Sequence, residues 1–185
     1  ISEGCNKNCS YCAIPSMRGR YRSVPIEELV EEAVKLTARG VSELVLVAQE
    51  TTLYGIDLYG EKKLPELLTR LSRIEAVKWI RILYCYPEEI TEELADTVRD
   101  NPKLCHYMDL PIQHCNDEIL KKMGRLTTRE QLTEKINMLR SKLPDISLRT
   151  TLISGFPGET QAQHEECLAF VREMKFDRLG VFPYS

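Results

Sequence analysis

Pro25-Ile26-Glu27-Glu28-Leu29-Val30-Glu31-Glu32-Ala33-Val34-Lys35-Leu36-Thr37-Ala38-Arg39-Gly40, followed closely by Leu44-Val45-Leu46-Val47-Ala48, sets a helical and an extended periodicity side by side. Ile26, Leu29, Val30, Ala33 and Val34 recur at helical spacing, Pro25 suits a first turn and Gly40 is a stop, so a helix is expected over 26–39. The continuous apolar run over 44–48 is the kind that a parallel strand buries on both faces. A helix feeding a strand is half of a βα repeat.

Reading outward from this unit, the same alternation returns. Helices are expected over 64–74, 91–100, 128–142 and 160–174, and strands over 79–84, 107–110, 147–153 and 179–182. Thr128 is a good N-cap, and Pro144-Asp145 breaks its helix before the next strand. Units of about 30 residues joined by right-handed crossovers give a parallel sheet. Five strands are complete, and a sixth would end at Gly4. An open doubly wound sheet and a partial TIM-type barrel both accommodate this order. No Gly-x-Gly-x-x-Gly follows the first strand, which disfavours a dinucleotide fold. The preferred class is therefore an α/β partial barrel, (β/α)6, with its first strand largely missing from this chain.

With 185 residues, 43% hydrophobic and 29% charged, the chain has the composition of one globular domain rather than a disordered segment. A net charge of -3 argues against a general polyanion grip on nucleic acid. No apolar run approaches the roughly 20 residues that span a bilayer, so no membrane association is expected and the cytoplasm is the default compartment. The chain opens on Ile1 without a Met, as expected of residues 1–185 cut from a longer polypeptide. Seven cysteines in a chain too large to need disulfide staples point to reduced thiols and a metal or redox site.

Three of these thiols fall close together as Cys5-x-x-x-Cys9-x-x-Cys12. Thiolates ligate zinc and iron-sulfur clusters, and close spacing lets one loop wrap the metal. A structural zinc needs four ligands, whereas a four-iron cluster on three thiolates keeps one iron open. The alternative is a zinc site completed from afar by Cys85, Cys105, Cys115 or a histidine. Every other unusual segment also follows an expected strand: Gln49-Glu50-Thr51-Thr52, Cys85-Tyr86-Pro87, Pro111-Ile112-Gln113-His114, Gly155-Phe156-Pro157-Gly158-Glu159 and Pro183-Tyr184. In barrels that mouth carries the active site.

The sequence Cys5-x-x-x-Cys9-x-Tyr11-Cys12 resembles the signature of the radical S-adenosylmethionine (SAM) enzymes. The resemblance implies a six-stranded partial barrel. It implies a [4Fe-4S] cluster on Cys5, Cys9 and Cys12 whose open iron chelates the methionine amino and carboxylate groups of SAM, and whose electron cleaves the sulfonium to a 5'-deoxyadenosyl radical. It also implies that Tyr11, Gln49, Glu50, Gln113, Arg149, Ile153 and Gly155 bind cofactor, Ile153 and Gly155 as backbone contacts to adenine and ribose. Ala48-Gln49-Glu50-Thr51-Thr52-Leu53-Tyr54-Gly55 is similar to the Ala-Gln-Asp-Thr-Thr-x-Tyr-Gly stretch of the RimO-type methylthiotransferases, departing from it at Glu50. Ala13-Ile14-Pro15-Ser16-Met17-Arg18-Gly19 and Leu110-Pro111-Ile112-Gln113-His114 resemble the same branch. The substrate implied is an aspartate of a small-subunit ribosomal protein, with a tRNA, as in MiaB-type relatives, as the alternative. A second [4Fe-4S] cluster on an N-terminal domain, a C-terminal RNA-binding-type domain, and an electron donor such as flavodoxin or ferredoxin are implied outside this chain.

Other residues have two readings each. Arg149 reads as a fork for the methionine carboxylate or as a surface salt bridge. Glu50 reads as an acceptor for the substrate amine or as a solvated loop carboxylate. The 155–159 segment reads as a ligand-facing loop or a tight turn, with Thr160 capping the following helix. His114 and Cys115 read as a ligand pair, or as a pocket wall and a buried small apolar residue, the latter expected also of Cys85, Cys105 and Cys167. His164, Cys167, Leu168 and Val171 read as a core stripe. Arg18, Arg20 and Arg22 read as a solvated turn or as a dock for an acidic or RNA-rich partner.

Overall fold

The computed structural model describes residues 1–185. The thiol-bearing segment comes first, with β1 (Ser2–Glu3), α1 (Ile14–Arg18) and β2 (Arg22–Ser23). The repeat then runs α2 (Ile26–Thr37), β3 (Glu43–Leu46), α3 (Ile56–Tyr59), α4 (Leu64–Ser72), β4 (Trp79–Ile82) and, after a 3-10 turn at Pro87–Glu89, α5 (Glu92–Asp100). It closes with β5 (Leu104–Gln113), α6 (Asp117–Lys122), α7 (Arg129–Lys142), β6 (Ser147–Ser154), α8 (Gln161–Met174) and β7 (Arg178–Pro183). The sheet has the order β3-β4-β5-β6-β7, every pair parallel, so the helices from α3 to α8 form crossovers between neighbours.

Burial along the strands decides between the two topologies. Leu44 and Leu46 of β3, Ile80 and Ile82 of β4, Met108 and Leu110 of β5, and Leu148 and Leu152 of β6 are buried. Leu67, Leu68 and Leu71 of α4, Leu94 and Val98 of α5, Leu132, Ile136 and Leu139 of α7, and Cys167, Phe170 and Met174 of α8 join them in one core. Alternate residues of the sheet's first two strands are not covered, with Val45 47% and Trp79 57% exposed. A doubly wound sheet carries helices on both faces, whereas a partial barrel leaves its concave face bare. Beside those apolar residues the bare face carries polar pairs: Arg81 Nε donates to Glu43 at 3.0 Å, Arg81 lies 5.1 Å from the Tyr107 ring, and Arg149 pairs with Asp109 at 2.6 Å. Asp109 and Arg149 are direct cross-strand partners, so their pairing follows from the register.

The run over 44–48 thus buries one face, not two, since Val45 and Val47 point to the concave side. The strand expected to end at Gly4 is present only as its last residues, β1, which pair antiparallel with β2, Ser2 opposite Ser23, and do not join the five-stranded sheet. Its only bond to the sheet edge is the Ile1 ammonium to the Val47 carbonyl, 3.0 Å. β5 extends three residues past Leu110 through Pro111, tolerated because the register to β6 shifts between Leu110 and Gln113. Thr128 and Thr160 cap α7 and α8 in full capping boxes with Gln131 and Gln163. The buried stripe of α8 excludes Leu168, which is 43% exposed, and Cys105 is only partly buried.

Replacing Phe170, 0% exposed, by Ala is expected to lower unfolding free energy by about 3–5 kcal/mol. Leu168→Ala should stay within about 0.5 kcal/mol of the unmodified chain, as urea unfolding of both variants would measure.

Candidate cofactor site

The thiol loop is fastened at both ends by backbone approaches that exclude a side chain. Gly4 has φ +78°, and a Cβ there would lie 2.2 Å from the Arg20 carbonyl oxygen. Across the loop a Cβ on Gly124, φ +73°, would lie 2.5 Å from the Asn8 carbonyl oxygen. Only glycine permits either contact. Hydrogen bonds complete the fastening: Cys5 N to Gly19 O at 3.2 Å, Tyr21 N to Asn6 Oδ1 at 3.1 Å, Ser10 N to Met123 O at 3.0 Å and Cys12 N to Cys9 O at 3.0 Å. Gln49, expected to bind cofactor, accepts from Gly4 N at 2.7 Å and so holds the residue preceding the first thiol.

Cys5 and Cys9 are buried and Cys12 is partly so. Burial first, then the nearby charges of Glu50, Cys9 and Cys12, pushes the Cys5 thiol above its usual range, while the Lys7 N–H opposes the rise. Thiols so placed ionise together only around a cation. Cys5 and Cys12 open on a cavity of about 370 Å³ lined also by Ile14, Val47, Ala48, Gln49, Tyr84 and Tyr86. The three thiols do not converge as the ligands of a single ion do, because the one His/Cys/Asp/Glu ligand set within 4.8 Å is His114, Cys115 and Cys167. Three thiols on one loop that do not close on a single point suit a polynuclear cluster better than one zinc ion.

The segments after β3 and β4 both line this cavity. Tyr84 and Gln113, after β4 and near the end of β5, both take left-handed φ, +57° and +70°, a costly conformation that persists only where the surroundings impose it. Thr51 Oγ1 donates to Leu83 O at 2.7 Å and lies 2.9 Å from Tyr84 O, locking the loop after β3 to that after β4. Glu50 is 0% exposed, so it is no solvated loop carboxylate. Its Oε1 accepts from Thr52 N at 2.9 Å and from the Thr52 hydroxyl, and its Oε2 has no partner. Burial pushes its carboxyl up to about 7 against those bonds.

After β6, Glu159 organises the Gly155–Glu159 turn. Its Oε2 accepts from Gly155 N at 2.6 Å and Phe156 N at 2.9 Å, and its Oε1 faces His114 Nε2 at 3.4 Å and His164 Nδ1 at 3.2 Å. Although burial opposes it, the bonds from Phe156 and Gly155 and the neighbouring His114 hold this carboxyl below its ordinary value. Tyr11 and Ile153 each pack against the small cluster of Ile119, Met123 and Phe156, so the residue before the third thiol shares a cluster with Phe156 of this turn. Arg149 is held by Asp109, whose side chain is 2% exposed; the partner is internal rather than at the surface.

A family model for the Radical SAM superfamily matches residues 1–171. The chain belongs to that superfamily. Across all 185 residues it is 60% identical to the ribosomal protein uS12 methylthiotransferase RimO of Lachnoclostridium phytofermentans and 54% identical to that of Clostridioides difficile. It spans 42% of the length of each. Among solved structures it resembles the radical SAM methyltransferase TsrM of Kitasatospora setae, with cobalamin and [4Fe-4S] cluster bound, at TM-score 0.78 and 21% identity, covering 97% of this chain and 35% of that one. It also resembles coproporphyrinogen III oxidase HemN of Escherichia coli, a radical SAM enzyme, at TM-score 0.68 and 22% identity, covering 100% and 43%. At such identities the likeness concerns fold, and it agrees with the partial barrel.

Within this radical SAM chain the His114, Cys115 and Cys167 set is not built as a metal site. His114 Nδ1 accepts from Asn116 N at 2.9 Å while Nε2 faces Glu159, so both ring nitrogens are engaged. Arg18 and Arg22 pair with Glu3 at 3.4 and 3.7 Å, all exposed, as a solvated turn does. Sequence reasoning missed Arg125 and the position of Tyr86. Tyr86 places its hydroxyl 3.4 Å from Cys9 Sγ and lies under the Arg125 guanidinium, 4.2 Å from ring centroid to Cζ. Neither has a local signature, because they meet Cys9 only through the fold.

Two outcomes follow for the metal-free chain. The Glu50 carboxyl titrates near 7 folded against about 4.5 unfolded, so its contribution is fully present at low pH and is lost as pH rises between those values. Glu50→Gln should therefore change stability little at pH 4 yet raise it at pH 8 by up to about 3 kcal/mol, as paired urea titrations would register. Glu159→Gln should speed amide hydrogen exchange at Gly155 and Phe156, consistent with a loss of about 1.5–3 kcal/mol for bonds to a charged acceptor.

Proposed function

We propose that this chain is the SAM-cleaving core of a methylthiotransferase acting on an aspartate of ribosomal protein uS12. The observation that carries the cofactor reading is the short loop of three thiols, two of them lining a cavity beside the ends of β3 and β4, clamped where only glycine fits. The 60% identity to RimO over every residue of the chain supports the choice of substrate.

Cys5, Cys9 and Cys12 would hold a [4Fe-4S] cluster. When bound, that group supplies the single electron for reductive cleavage of SAM. The protein's part is binding, orientation and shielding. Gln49 fixes the entry to the thiol loop through Gly4, Ala48 and Tyr84 wall the cavity, and Glu159 keeps the N–H groups of Gly155 and Phe156 engaged so that the turn beside Ile153 holds one shape. Gln113, Arg149 and Glu50 lie at or beneath the same mouth. Arg149 and Glu50 act there through Asp109 and Thr52.

The whole enzyme is proposed to add an N-terminal domain with a second cluster, associated with the inserted sulfur, and a C-terminal RNA-binding-type domain that helps recognise its target. Flavodoxin or ferredoxin would supply the electron, in the cytoplasm. No helix of the chain is long and apolar enough to cross a membrane.

Anaerobic reconstitution of the full-length protein should give a brown, SAM-cleaving preparation, and Cys9→Ala should lose the iron of this site and the cleavage with it. Incubation with uS12 should add a methylthio group to one aspartate, read by mass spectrometry. A colourless protein with stoichiometric zinc would reject the reading, and modification of tRNA in place of uS12 would reassign the substrate.

A further inference from the structure

Arg125 carries a charge that the fold neutralises only in part. Its side chain is 1% exposed, and of its three guanidinium nitrogens only Nη2 has a carboxylate within reach, Glu88 Oε2 at 3.3 Å. Nε and Nη1 are buried without any hydrogen-bond partner. A buried guanidinium with unmet donors is costly unless an anion completes it.

Its surroundings indicate where that anion belongs. Arg125 follows Gly124, the residue whose backbone presses on Asn8 beside Cys9. Its guanidinium stacks on Tyr86, whose hydroxyl touches Cys9 Sγ at 3.4 Å. Lys7 Nζ also lies over the Tyr86 ring, 5.1 Å from its centroid, but that ammonium is already paired with Glu89 at 2.5 Å. Arg125 is therefore the under-compensated cation behind the middle thiol of the loop.

We propose that Arg125 is the electrostatic partner of the cluster assigned above to Cys5, Cys9 and Cys12, and that its positive charge sets how readily that site accepts an electron. The inference rests on the cluster reading of the preceding section. Ligation by three thiolates brings negative charge to this wall, and reduction by a low-potential one-electron donor adds one further unit with no bond made or broken in the protein. A fixed cation nearby stabilises the more negative state more than the less negative one, so it raises the reduction potential. The stack on Tyr86 holds the guanidinium in place, and Glu88 offsets part of its charge.

The test is an EPR-monitored redox titration with dithionite on the anaerobically reconstituted full-length protein, following the reduced signal that changes when SAM is added, which marks this site apart from any second cluster. Arg125→Met should move the midpoint to more negative potential at unchanged iron content, and Arg125→Lys should restore part of the shift. Glu88→Gln, which leaves Arg125 in place with less of its charge offset, should move the midpoint the opposite way. An unchanged midpoint in Arg125→Met at full iron content overturns the proposal. If Arg125→Met does not retain cluster, Glu88→Gln decides: a less negative midpoint supports the proposal, and an unchanged or more negative one overturns it. A wild-type protein that assembles no SAM-responsive cluster fails the site reading itself, and this inference with it.

Discussion

The close approach of Gly124 to the Asn8 carbonyl joins the thiol loop to the body of the barrel. Chain that must wrap a multi-charged metal group needs its thiols presented from a fixed frame, and a loop of this kind has few apolar side chains with which to pack. Backbone contact replaces packing here. Ser10 bonds to the carbonyls of Lys122 and Met123 on one side, while Gly4 and Cys5 are tied to Gln49 and Gly19 on the other. The turn from α6 toward α7 and the loop after β3 are thereby made parts of one site, although they are far apart in the chain.

The parallel sheet places those parts within reach of one another. Its convex face is sealed by helices and supplies the 33-residue core, which frees the strand ends and the concave face for polar groups. The consequences are visible in the carboxylates. Asp109 stays paired with Arg149 across strands, Glu159 is kept low by backbone donors, and Glu50, enclosed with only Thr52 as partner, is pushed up to about 7. Glu159 and Glu50 thus have opposite shifts in their affinity for a proton, each following from its enclosure and its donors rather than from its position in the sequence.

Tyr86 links the chemistry of the loop to that of the frame. Its ring carries Arg125 and Lys7, while its hydroxyl meets Cys9. Placing cationic groups against an aromatic wall beside a thiol keeps positive charge close to the thiol loop without adding a further metal ligand, because neither guanidinium nor ammonium has a lone pair to donate.

Helix and strand periodicity alone determined the order of βα units, and the caps at Thr128 and Thr160 with their boundaries, because these depend on contacts within a few residues. The thiol spacing was equally legible, since one short loop carries all three cysteines. Burial of only one face of the 44–48 strand was not, because alternation of Leu and Val is apolar on both sides and only the curvature of the sheet leaves Val45 and Val47 uncovered. Nor were the roles of Gln49 as a brace for Gly4, of Asp109 as the partner of Arg149, or of Arg125 behind Cys9. Each is a meeting of residues 25 or more positions apart, set by strand register and loop closure, which no local pattern encodes.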